Sequence, residues 1–303
     1  MRYRPFGRSG SASSVLTLKI GSDALAGGPA RAQALVFAAL ESGVNTYHLT
    51  SADPVLAEAV GEALGQVDRK LVQVCVSLGR AEGRRGARDF SPEALTGAVD
   101  RILHVSGLGW LDIALLDEPG EDEMPQTALT ALKAQRTAER IRMLGIAGDG
   151  EVMDAYVSTG AFDVMATPYH VNSPWHTRNR IRAALERDMA VLAYGYFPRE
   201  LDTEKKAETL HAPKKGLFGF ARGERGGDPL ASAGTFAFLH RTHGWNAEEI
   251  CLAFALTDPA IASVMVDAMS ADRIEALAAV PDRDLPPGLA AQIEMARVRT
   301  AAA

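Results

Sequence analysis

Short apolar runs rich in β-branched residues alternate along the whole chain with longer Ala/Leu/Glu/Arg segments of helical period, and this alternation limits the fold more than any other feature. A strand, a crossover helix and a second parallel strand form the unit that such a pattern encodes. Eight runs carry the strand pattern: Leu16 to Ile20, Val44 to His48, Leu71 to Ser77, Leu111 to Leu116, Arg142 to Ile146, Asp163 to Ala166, Ala190 to Tyr194 and Ser263 to Val266. Their spacing predicts an α/β fold, a single (β/α)8 TIM barrel. Ahead of the first barrel strand, RYRPFGRSGSASSV reads as two short strands around a Gly-containing turn. This N-terminal β-hairpin is expected to plug the N-terminal mouth of the barrel. No internal boundary interrupts the pattern, so residues 1–303 are expected to form one domain.

Composition excludes several function classes. With 303 residues, 47% hydrophobic and 23% charged, the chain can bury a sizeable core and is neither disordered nor fibrous. A formal net charge of -6 provides no global basic field for nucleic acid, so a small-molecule ligand is the expected partner. No stretch reaches the ~20 apolar residues of a membrane span, and no apolar segment follows the first arginines, so a cytoplasmic location is expected. Cys75 and Cys251 each sit in an apolar run without metal-ligand spacing and read as buried thiols of a reducing compartment. Neither a GxGxxG after a strand nor a GxxxxGK[ST] is present, so Rossmann-type and P-loop nucleotide binding are unsupported.

Local signals place the helix starts and two unusual loops. Ser91 and Pro92 read as N-cap and first residue of a helix ending near Val105, and Asp53 with Pro54 repeats the pattern. A segment from about 196 to 228, containing GLFGF and ARGERGG, is longer than ordinary connections and is expected on the C-terminal face. The Gly/Arg-rich loop GRAEGRRGARD joins it there. Together the loops carry Arg80, Arg84, Arg85, Arg88, Lys205, Lys206, Lys214, Lys215, Arg222 and Arg225. Such a charge set either focuses positive potential on an anionic ligand or is a solvated surface.

Several stretches resemble the aldo-keto reductase superfamily across almost the whole chain. MRYRPFGRSG is similar to that family's opening hairpin, GVNTYHLTSADPVLAEAVGEAL to its second strand and helix, and SPEALTGAVDRIL with LGWLDIALLDEP to the unit ending in its catalytic histidine. RIRMLGIAG, FDVMATPYHVN and AEEICLAFALTDPAIASVMVDAMSADRIEALAAV resemble later units. The resemblance implies NADPH-dependent carbonyl reduction by a tyrosine acid, a lysine paired with an aspartate, and a substrate-orienting histidine. In this chain the aspartate position reads His48, the tyrosine position Asp53, the lysine position Ser77 and the histidine position Asp117. The nicotinamide carboxamide positions read Ala147, Gly148 and Ala166. By the same resemblance Tyr194 stacks on the nicotinamide, and Ser270 with Arg273 belong to the adenosine-phosphate pocket. Asp267 stands where the family has Gly or Lys near the phosphates. NADP is therefore a possible but disfavoured cofactor.

If the barrel forms, His48, Asp53, Ser77, Asp117 and His170 gather at one mouth as the candidate catalytic residues. One reading is a His48 and Asp117 dyad acting as general base in redox-free chemistry. A divalent metal held by two imidazoles and two carboxylates is another, without support from a short motif; a polar pocket without activity is the third. Trp175 in NSPWHT is a candidate pocket residue. The leading expectation is a barrel without the standard tetrad, serving as a small-molecule-binding pseudoenzyme or a redox-free enzyme. A divergent NADP-dependent oxidoreductase, using Asp117 or His48 as substitute acid, is the alternative. An accessory protein that binds partner chains or a second copy through its outer helices is a further class.

Overall fold

The computed structural model describes residues 1–80, 88–198, 201 and 236–301. Two short strands, β1 (Tyr3–Pro5) and β2 (Ala12–Ser14), pair antiparallel. Eight parallel strands follow: β3 (Leu16–Ile20), β4 (Thr46–Leu49), β5 (Gln73–Leu78), β6 (Leu111–Asp117), β7 (Ile141–Ala147), β8 (Val164–Pro168), β9 (Ala190–Tyr194) and β10 (Ser263–Asp267). They form a closed barrel in chain order, sealed where β10 pairs with β3. The helices α1 (Pro29–Glu41), α2 (Pro54–Leu64), α3 (Pro92–Ser106), α4 (Gln126–Thr137), α5 (Gly150–Ser158), α6 (Trp175–Leu185), α7 (Ala247–Ala255) and α8 (Ala271–Ala279) alternate with the strands, and α9 (Leu289–Ala301) follows. This is the (β/α)8 barrel expected from the alternation, and every expected strand is present with its ends moved by at most two residues.

Strand alternation separates the apolar residues into two clusters. The larger contains Leu16, Leu18, Ile20, Tyr47, Leu49, Val74 and Val76 together with helix residues such as Leu35, Leu56 and Ile102, and fills the layer between strands and helices. The smaller contains Cys75, Ile113, Leu115, Val164, Ala166, Leu192 and Met265 and fills the barrel interior. Phe6, at the bend between β1 and β2, is fully buried and belongs to the interior cluster, so the hairpin does close the N-terminal mouth. Gly7 makes that insertion possible: its φ is +50°, and a Cβ there would lie 3.1 Å from the backbone nitrogen of Ala190. Thr17 Oγ1 and Ser263 Oγ, 2.7 Å apart, satisfy each other inside the barrel.

With the lower mouth closed, the inward-facing residues at the C-terminal strand ends are left to line a cleft. Among the described residues no helix is long and apolar enough to cross a membrane. Arg80 and Arg88 of the basic loops are described; Arg84, Arg85, Lys205, Lys206, Lys214, Lys215, Arg222, Arg225 and most of the 196–228 segment lie outside the described residues.

Candidate active site

A cavity of about 370 Å³ opens at the C-terminal mouth. Leu115, Ala147, Ala166 and Met265 make its apolar part, and Lys19, His48, Thr50, Ser77, Arg80, Asp117, Glu118 and Tyr194 supply the polar groups. Lys19, His48, Ser77, Asp117, Ala147 and Tyr194 come from the ends of six different strands, each at an inward-facing position. Three of the five candidate catalytic residues, His48, Ser77 and Asp117, are thus brought together.

His48 Nε2 and Ser77 Oγ are 2.9 Å apart, and the two side chains are 6% and 4% exposed. His48 Nδ1 is buried and has no hydrogen-bond partner among the described residues. Burial, followed by the positive charge of Lys19, pushes the imidazole down to about 3, so it is neutral at pH 7. Asp117 is paired with the Arg80 guanidinium. The expected His48 and Asp117 dyad is therefore not formed, because each side chain is committed to a different partner.

Asp53 and His170 do not line the cavity. The Asp53 carboxylate accepts from the backbone N–H groups of Val55 at 2.8 Å and Leu56 at 3.1 Å, which makes it the N-cap of α2. His170, in the loop after β8, accepts from the Asn172 backbone N–H through Nδ1 at 3.1 Å. Among the described residues no group of three or more His, Cys, Asp or Glu side chains is placed to hold a metal ion. Trp175, the candidate pocket residue, opens α6 with 73% exposure and does not line the cavity.

The residues expected to hold the nucleotide have other partners. Tyr194 lines the cavity, and its hydroxyl donates a long 3.4 Å contact to Glu118 Oε1. Burial and then the Glu118 charge raise its phenol well above the ordinary tyrosine value. The Ser270 hydroxyl caps α8 by accepting from the Arg273 N–H at 3.3 Å. The Arg273 guanidinium is ion-paired with Glu248, whose Oε1 also accepts from the Tyr196 hydroxyl at 2.7 Å. At the end of β10, Asp267 presents a carboxylate 3.0 Å from Lys19 Nζ.

Lys19 and Glu118 are site residues that sequence reasoning missed. Lys19 occupies an inward position of β3, beside His48 in the strand register and opposite Asp267. The signal was present in LTLKI, where alternation puts the lysine on the same side as Thr17. Glu118 has φ of +54°, an uncommon value for a residue with a side chain. It is held by its N–H to Ala147 O at 3.1 Å and by Arg88, which donates to its carbonyl at 2.5 Å. No sequence pattern announces that conformation. Gly79, just after β5, has φ of +95° and leaves room for Phe90, which a Cβ would meet at 2.0 Å.

The Aldo/keto reductase family model matches residues 17–297. This chain belongs to that family. Among solved structures it is similar to the aldo-keto reductase AKR11C1 from Bacillus halodurans (holo form), with a TM-score of 0.76 and 19% identity over 98% of this chain and 96% of that one. At that identity the likeness carries the fold alone. A comparison with curated proteins gives no match. Within an aldo/keto reductase framework, the four positions that the resemblance assigned to the tetrad thus hold a bonded His48 and Ser77 pair, a helix cap and an arginine-paired carboxylate.

Proposed function

We propose that this aldo/keto reductase family member binds a small polar molecule at its C-terminal mouth and acts on it without hydride transfer. The observation that carries this reading is the 2.9 Å contact between His48 and Ser77. It sets two uncharged groups at the positions that the resemblance gives to the family's aspartate and lysine pair, and neither of them lowers the pKa of a tyrosine acid. Tyr194, the tyrosine lining the cavity, is made a weaker acid by its surroundings.

The residues present do not fit a nicotinamide dinucleotide. Where a carboxamide would need partners, the cavity offers the methyl groups of Ala147 and Ala166, and a buried amide without partners loses about 1 to 3 kcal/mol. Arg273 is already neutralised by Glu248, and Asp267 sets a negative charge where phosphates would lie. Both described cations of the cavity, Lys19 and Arg80, are likewise paired with carboxylates. That balance favours a neutral polar ligand over the anionic one suggested by the charge of the loops.

Titration with NADPH and NADH, read by tryptophan quenching and nicotinamide emission, tests the proposal. The expected result is no saturation up to millimolar nucleotide, about -4 kcal/mol or weaker, and no aldehyde-dependent oxidation of NADPH. Micromolar binding together with turnover would overturn it in favour of a divergent NADP-dependent oxidoreductase.

A further inference from the structure

Lys19 is the one lysine among the described residues that line the mouth cavity. Its side chain runs inside the barrel wall and is 26% exposed, while Asp267, its ion-pair partner at 3.0 Å, is 74% exposed. Lysine is rarely placed on an inward strand face, and a pair with one largely solvated member stabilises little. Fold stability therefore gives a poor account of the residue. The functional groups of a (β/α)8 enzyme collect at the C-terminal strand ends, where Lys19 stands one residue before the end of β3.

The neighbours suit an amine that reacts with a carbonyl. His48, adjacent in the register, is uncharged at neutral pH and adds no competing cation. Asp267 lies within reach of the ammonium protons, and Thr50, Ser77 and Tyr194 line the same space with hydroxyl groups. Glu118 supplies a carboxylate that accepts a long 3.4 Å contact from the Tyr194 hydroxyl. We propose that Lys19 forms a Schiff base with a small neutral hydroxyaldehyde or hydroxyketone bound in the mouth cavity, an inference that rests on the redox-free reading of the pocket.

The reaction balances without an oxidant or a reductant. Asp267 accepts one proton from the Lys19 ammonium, and the freed lone pair bonds to the carbonyl carbon while the C=O π pair moves to oxygen. An N–H proton of the adduct passes to that oxygen to give a neutral carbinolamine, and Asp267 returns its proton to the hydroxyl, which leaves as water while the nitrogen lone pair forms C=N. Ammonium and carbonyl thus yield protonated imine and water. The iminium then draws electrons from the adjacent carbon, and Glu118 can accept the proton released there to leave an enamine. Retro-aldol cleavage and carbonyl isomerisation are the reaction classes this opens.

Reductive trapping tests the proposal. The full chain is incubated with glyceraldehyde and sodium borohydride, without nicotinamide nucleotide, and analysed by intact mass and peptide mapping. One adduct per chain on the peptide containing Lys19 is expected, lost in Lys19→Arg and Lys19→Met. Equal labelling of Lys70 or Lys133, persistence of the stoichiometry in both variants, or no adduct on Lys19 overturns it. Circular dichroism and thermal melting of the variants separate loss of the amine from loss of the fold. The readout contains no NADPH, so failure of trapping is distinct from failure of the redox-free reading, which the nucleotide titration decides.

Discussion

His48 Nε2 lies 2.9 Å from Ser77 Oγ, while the other ring nitrogen of His48 is buried and has no partner among the described residues. The pair spans adjacent strands β4 and β5 on the inner wall. Its acid behaviour follows from burial. The imidazole is pushed down to about 3 in the folded chain but returns to about 6.5 when unfolded, so between these values the unfolded state binds a proton that the folded state refuses. Stability from this group is fully present above about pH 6.5 and is lost as pH falls toward 3, with a slope approaching about 1.4 kcal/mol per pH unit. Urea midpoints from pH 7 to pH 4 should fall less steeply for His48→Gln than for the natural chain. Parallel slopes would remove His48 as the cause.

Asp53 separates a structural role from a catalytic one. Its carboxylate accepts two backbone N–H groups at the start of α2 and does not line the cavity. Asp53→Ala should cost about 1 kcal/mol of stability, the ordinary value of an N-cap. Asp53→Asn or Asp53→Ser should recover most of it. Trapping at Lys19 should be unchanged in all three, and a selective loss of trapping in a stably folded Asp53→Ala protein would return the residue to the site.

Most of the fold was legible because a barrel of this kind repeats one signal. Strands such as Leu16–Ile20 and Ala190–Tyr194 coincide with their apolar runs, and helix α3 starts at the expected Ser91 cap. The site was legible only where a strand end alone decides position, as for His48, Ser77 and Asp117. Asp53 shows the limit: DP both caps a helix and resembles a tetrad position, and hydrogen bonding rather than spacing chooses between them. Partner choice was hidden for the same reason, since Asp117 meets Arg80 only where the end of β6 lies beside the residues that follow β5. Lys19 was readable from alternation in LTLKI, but a single charge in an apolar strand is easily taken for an edge residue.

Arg180 fixes the loop beside the cavity. Its side chain is fully buried, ion-paired with Asp149 and Asp154, and donates to Gly150 O at 3.0 Å and Thr167 Oγ1 at 3.3 Å. Because both carboxylates are about half exposed, they can recover solvation when the arginine is removed, and the cost falls toward the lower end for a buried pair. Arg180→Met should destabilise by roughly 3 kcal/mol. Arg180→Lys keeps the charge without the planar fork and should lose about half as much. Guanidinium midpoints with unchanged m-values would check both, and a near-neutral Arg180→Met would show that the network is worth little.

The contact between His48 and Ser77 also says what rebuilding the family's charged pair requires. Ser77→Lys alone would bring an ammonium into a position 4% exposed, beside a histidine that offers no negative charge. A buried, unpaired cation costs several kcal/mol. His48→Asp alone would leave an equally buried carboxylate facing a serine hydroxyl and Lys19. Together the substitutions place opposite charges where the present side chains are already in hydrogen-bond contact, so each relieves the other's penalty. The double variant should be more stable than the sum of the single variants predicts, by about 1 to 3 kcal/mol in a double-mutant cycle. Addition of Asp53→Tyr, which restores the family's tyrosine at its assigned position, should then lose the α2 cap and lower stability again by about 1 kcal/mol. Additive single effects at His48 and Ser77 would mean that the two positions do not occupy the place of the family's aspartate and lysine.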